Sequence, residues 1–350
     1  MLKKKKIEAA VIQMLRVNMG VRPGEKILIL SDIPARRDWK QKKSAEIEKM
    51  HVITYLGKAV AEIASNAFSQ CTVDFYPYFS IGRSGAEPPE TMARVMQRFD
   101  VILAINSFSL THTQARENAS KTGARVATMR GAIAEMFYPD GSISVDYSAV
   151  ERETKLIAGV LSRANRARIV TPAGTDLSFS LKGRRGREDN GMYVKPGRWG
   201  NLPAGEAYIA PIEGSGKGPL VIRKGWHPGL KENMALHFHQ GEVFEIEGGG
   251  EVGSQLRRIL GLGSSLSKKK LRCNLAELGI GTNPKARRVD ITIEAEKIKG
   301  TLHIGIGDSS HMGGKVVADY HQDFVVDAPD LFLDEEKAMD KGTWLKSQRR

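Results

Sequence analysis

Cysteine is nearly absent: the 350 residues hold two, Cys71 and Cys273, both inside apolar strand-like runs. That excludes a disulfide framework and a cysteine zinc site, and makes the reducing cytoplasm the expected setting. Long hydrophobic runs are missing as well, since none approaches the roughly 18 apolar residues of a membrane span. In the opening stretch MLKKKKIEAAVIQMLRV, Glu8, Gln13 and Arg16 interrupt the apolar residues, while Ile7, Val11 and Met14 follow helical spacing. An amphipathic helix of a soluble protein is predicted there, not a signal peptide. Acidic residues are in the minority, 40 against 53 Lys and Arg, for a formal net charge of +13. The basic clusters (Lys3–Lys6, Arg184–Arg187, Lys268–Lys270 and Arg349–Arg350) are scattered among mixed charges, however, and no nucleic-acid-binding motif accompanies them. Solvated surface is the reading, with neither nucleic acid nor membrane as a partner. HExxH, the GxSxG elbow, a Ser-His-Asp motif and the P-loop are all absent.

What is present is enough for a sizeable core, and the length predicts two domains. Buried or alternating apolar runs at Lys26–Ser31, Cys71–Tyr78, Asp100–Ile105 and Ala124–Met129 read as strands. Helical spacing separates them near Gly57–Phe68, at Met92–Phe99 and at Thr113–Lys121. Strands alternating with helices predict a doubly wound, Rossmann-like parallel-sheet α/β domain over residues 1–145. From Arg168 the texture changes to short strands with Gly and Asn turns, so residues 146–350 read as a β-rich α+β domain.

The chemistry concentrates between Cys273 and Asp327. In Thr301–Gly307 the alternation puts Leu302, Ile304 and Ile306 on one face and His303 on the other, beside Gly305 and Gly307, which would keep space open for the imidazole. The same alternation projects His321 and Asp323 together. With Glu277 on its apolar run, these are metal ligands by type, suited to zinc, cobalt, manganese or iron(II). His237 and His239 form a rival pair, for which solvent exposure is expected. His112 follows the Asp100–Ile105 strand, where ligands gather in open α/β sheets, and is a candidate substrate contact or proton shuttle. The competing reading is that Thr111 or Thr113 caps the next helix and His112 is incidental. Glu206 stands at a turn-to-strand junction, where an acid is usually exposed.

Four ordered segments, NLPAGEAYIAP, NLAELGIGTNP, GTLHIGIG and YHQDFVV, resemble signature segments of the aminopeptidase T family of leucyl aminopeptidases. The resemblance implies a dinuclear site of Zn, Co or Mn ligated by Glu206, Glu277, His303, His321 and Asp323. It further implies a catalytic part for Glu277, a peptide substrate and a homodimer. Where that family has a tyrosine, seven residues beyond His303, this chain has Ser310 followed by His311; either His311 is the substitute catalytic donor or the peptidase step is impaired. A metallo-aminopeptidase is therefore the expected activity. The chain also resembles 2,5-dihydroxypyridine dioxygenases, which have a single iron(II), an HxD pair matching His321 and Asp323, a histidine near His112, and a histidine at the position of Glu277. That reading is the alternative, and a non-catalytic metal-binding homologue is a third.

Overall fold

The computed structural model describes residues 3–262 and 270–345, so Lys268, Lys269, Arg349 and Arg350 of the basic clusters lie outside the described residues. The fold is mixed α/β, with one parallel sheet and, among the described residues, three antiparallel ones. It divides into two compact units: Met1–Tyr147 with Gly191–Ala204, and Ser148–Asn190 with Gly205–Arg350. The first unit thus takes in a short later segment as well as the contiguous N-terminal stretch.

Helix α1 (Lys4–Gln13) buries Ile7 and Val11, and Met14 just beyond it is buried too, as the helical spacing predicts. Strands β1 (Lys26–Ile33), β2 (Thr72–Phe79), β3 (Val101–Ala104) and β4 (Arg125–Thr128) follow. They are linked through α2 (Arg36–Gln41), α3 (Ser44–Ala67), α4 (Glu90–Met96) and α5 (Gln114–Lys121). Helix α6 (Tyr147–Arg163) then leads to β5 (Arg166–Val170), β6 (Asp176–Ser180) and β7 (Arg187–Asp189). Strand β8 (Trp199–Asn201) pairs in parallel with β4 and completes the order β2-β1-β3-β4-β8. Alternate residues Leu28, Leu30, Ile102, Ala104 and Val126 of this sheet pack with Met92 and Met96 of α4 and Ala115 and Ala119 of α5.

The second unit continues with β9 (Glu206–Ile209), β10 (Gly218–Ile222), β11 (Met234–His239), β12 (Glu242–Gly248), α7 (Gly250–Leu260) and β13 (Leu275–Gly281). After a one-turn helix at Thr292–Ala295 come β14 (Thr301–Gly307), β15 (His321–Asp327), β16 (Asp330–Leu333), β17 (Glu336–Asp340) and β18 (Thr343–Trp344). These strands make three antiparallel sheets, β10-β11-β12, β15-β14-β13-β9-β7 and β18-β17-β16-β5-β6. Leu278, Ile280, Leu302, Ile304, Ile306, Phe324 and Val326 turn into a core shared with α6 and the other strands of the unit. That burial leaves the opposite face of β9, β13, β14 and β15 to the polar residues. No helix among the described residues is long and apolar enough to cross a membrane.

Candidate metal centre

Residues directly opposite on neighbouring strands share a face of a sheet. His303 of β14 lies opposite Gly279 of β13, and Glu277 lies opposite Gly305. Across the next ladder Gly305 faces Asp323 and Gly307 faces His321, while Glu206 of β9 faces Gly281. Every one of the five side chains is therefore matched across a strand by glycine. The gaps have to be there: a side chain at Gly279 would overlap the His303 imidazole, and one at Gly305 would come to 2.9 Å from Asp323 Oδ1 and His321 Cε1. This corrects the expectation drawn from His303's own strand. Gly279 clears His303, Gly305 clears Glu277 and Asp323, and Gly307 lies against the Tyr320 backbone.

The five predicted residues come together as two overlapping groups, Glu206–Glu277–His303 and Glu277–His321–Asp323, with the donor atoms of each group within 4.8 Å of one another. In the second group His321 Nε2 is 3.2 Å from Asp323 Oδ1 and 3.3 Å from Glu277 Oε2. His321 Nδ1 lies 2.8 Å from the Asp308 carbonyl oxygen, to which it can only donate. That bond commits Nδ1–H and leaves Nε2, beside the two carboxylates, as the ring nitrogen free to take a proton or a metal ion, as the outer partner of a metal-bound histidine does. In the first group His303 Nε2 is 3.4 Å from Glu206 Oε2 and 3.6 Å from Glu277 Oε1. Glu206 is buried, contrary to what its turn-to-strand position predicts.

Electrostatics set the two groups apart. Burial raises the Glu206 carboxyl despite the nearby Lys297 ammonium. Burial also opposes the charge on Glu277, but hydrogen bonds from His303 and His321 outweigh it and hold that carboxyl below its ordinary value. Burial alone would lower His303, and Glu277 and Glu206 instead lift it to about 9. His321 overcomes the same penalty through Asp323 and Glu277 and rises well above its usual range. Such a concentration of acceptors around two imidazoles is a demand for positive charge, which a divalent cation meets.

Sequence reasoning missed three neighbours. Lys297 is fully buried, with Nζ 2.5 Å from Glu206 Oε1, 3.4 Å from Glu296 Oε2 and 3.6 Å from Asp189 Oδ2. Burial pushes Glu296 up to about 8. Glu296 and Lys297 sit in the charged stretch between β13 and β14, where no local pattern separates a buried lysine from a solvated one, and Asp189 closes the short strand β7. Two predicted residues stand outside the groups. His311 is exposed in a single 3-10 turn, 3.9 Å from Asp308 Oδ2. His112 belongs to the first unit, where it is exposed and meets the Trp199 ring in a T-shaped contact, and of the two candidate caps it is Thr113 whose side chain accepts from Arg116 N at the start of α5. In the rival pair His239 is exposed, and half-buried His237 lies 3.5 Å from Glu247 Oε2.

The model of the family NicX, 2,5-dihydroxypyridine 5,6-dioxygenase, matches residues 7–346. A 2,5-dihydroxypyridine 5,6-dioxygenase of Pseudomonas putida KT2440 is 22% identical over 250 residues, 67% of this chain and 68% of the relative. The solved structure of 2,5-dihydroxypyridine dioxygenase from that organism superposes with a TM-score of 0.74 at 17% identity, covering 99% of both chains. AmpT from Thermus thermophilus superposes with a TM-score of 0.66 at 15% identity, over 98% of this chain and 100% of that one. The likeness to AmpT is one of fold. The aminopeptidase expectation, with its hydrolase and protease chemistry, is therefore overturned, because the family model and the sequence relative both name a dioxygenase. A shared fold does not carry the reaction. With a family model that spans nearly all of its length, the chain belongs to the NicX family of 2,5-dihydroxypyridine 5,6-dioxygenases.

Proposed function

We propose that this protein is a ring-cleaving dioxygenase acting on a 2,5-dihydroxypyridine-type substrate, with one iron(II) held by Glu277, His321 and Asp323. The observation that carries the reading is the convergence of these three donors around His321 Nε2, with Nδ1 committed to the Asp308 carbonyl. The donor set fits the metal by its chemistry: one imidazole and two carboxylates suit an oxygen-preferring divalent ion such as iron(II). Glu277 here supplies oxygen where the resembling dioxygenases have a nitrogen donor, so the set carries one more negative charge.

Bound iron(II) would supply the redox chemistry that lets dioxygen react with an aromatic ring. The chain's own residues prepare that site. The Asp308 carbonyl orients His321. His303 sits with Nε2 between the Glu206 and Glu277 carboxylates. Gly279 and Gly305 leave the room in which these heads approach. Within the same reading the first unit is a doubly wound α/β domain and the second the β-rich metal-carrying one. Free thiols at Cys71 and Cys273 suit the cytoplasmic setting it assumes.

The test is oxygen consumption by protein reconstituted with iron(II) under nitrogen and then given oxygen and 2,5-dihydroxypyridine. Expected are uptake matched to loss of the ring's absorbance, and loss of both iron and uptake in His321→Ala and Asp323→Ala. No uptake with any hydroxylated pyridine by iron-loaded protein would sink the reading.

A further inference from the structure

The two donor groups share Glu277, and by residue type either could take an ion. What distinguishes them is Lys297. Its ammonium has no exposure and three carboxylate neighbours, Glu206, Glu296 and Asp189, so the three protons of the ammonium have three acceptors at hand. The lysine is delivered by a built element. Its backbone carbonyl accepts from Asn283 N at 2.9 Å, its own N–H donates to the Glu294 carbonyl at 3.0 Å, and Gly281 of β13 is glycine where the Lys297–Ile298 backbone lies against it. Among the described residues, by contrast, no lysine or arginine forms an ion pair with Glu277, His321 or Asp323, whose ion-pair partners are one another and His303.

We propose that Lys297 takes the place of a second metal ion: its ammonium compensates the Glu206 side of the cluster, so that this centre holds one divalent ion on Glu277, His321 and Asp323 and rejects another on Glu206, Glu277 and His303. A dication in that second group would share Glu206 with a fixed, buried ammonium and be repelled by it at short range, where screening is weak. Lys297 is thus a positioning residue. It ties Glu206 Oε1 and leaves Oε2 towards His303, which in turn supports Glu277.

The inference rests on the single-ion reading above, and its test counts ions and needs no turnover. Metal-stripped protein is titrated with Mn(II) or Zn(II) and the ions per chain are counted by native mass spectrometry. The wild type is expected to take one, and Lys297→Met to take two. Two ions in the wild type, or one in a folded Lys297→Met, overturns the proposal. Should that variant not fold, Glu206→Gln decides: it is expected to keep the one ion with affinity lowered by no more than about tenfold, the lower range for a supporting group, whereas Glu277→Gln loses it. Equal loss in both would make Glu206 a ligand and overturn the proposal. A count that rises from one to two without oxygen uptake would keep Lys297's role and remove the dioxygenase. Uptake with an unchanged count would do the reverse.

Discussion

Asp32 and Glu206 are both acids that folding takes out of water, and each answers differently. Glu206 is paired with Lys297. Asp32, at the end of β1, has backbone amides instead: Ser107 N and Phe108 N donate to it at 2.6 and 3.2 Å. Those bonds favour the charged form, yet burial outweighs them and lifts the carboxyl to about 6. A carboxyl raised in the folded state binds a proton there more tightly than in the unfolded chain. Its contribution is therefore present below the unfolded value of 3.8 and is lost as the pH rises through about 6. The shift corresponds to on the order of 3 kcal/mol. Asp32→Asn should flatten the dependence of the unfolding midpoint on pH across that window. A variant whose pH profile parallels the wild type would remove Asp32 as its cause.

At the scale of the strand, the β13–β14 ladder shows how alternation and register divide the labour. Alternation is local, and it places Leu302, Ile304 and Ile306 in the core with His303 on the other face, as the segment alone predicts. Register is not local. That Gly279, twenty-four residues upstream, is the residue that makes room for His303 follows only from the pairing of the two strands. Gly279→Ala should force the imidazole out of its place between Glu206 and Glu277. The expected cost is about 1–3 kcal/mol of stability, the usual range for overpacking a tight site, together with weakened metal binding. Denaturant midpoints and metal titration measure both. An alanine variant with unchanged metal affinity would show that His303's position is immaterial to the site.

For the molecule as a whole, the second unit gathers Asp189, Glu206, Glu277, Glu296 and Asp323 around one lysine and two histidines. A cation that binds only the folded cluster stabilises it by mass action, about 2.7 kcal/mol at a hundredfold excess over Kd. For a unit of this size that is on the order of 5–10 °C in Tm. Scanning calorimetry before and after chelation should show the shift, and an unmoved transition would argue against metal at this cluster. The whole molecule also holds what local reading could not reach. Strand β8 is three residues long, Trp199–Asn201, too short to show alternation, yet it is the edge of the first unit's parallel sheet.

Residue order alone determined the ligand types, the faces on which they project and the strand and helix texture, because a backbone imposes its period on each segment regardless of the rest. Only the tertiary structure decided that Glu206 is buried, that glycines on partner strands open the site, and that Lys297 is the cation beside it. Burial and register arise between segments far apart in the chain: the charged stretch around Lys297 becomes an interior fixture because Asp189 and Glu206, from distant strands, join its neighbour Glu296 around the ammonium, and the local sequence does not encode that meeting.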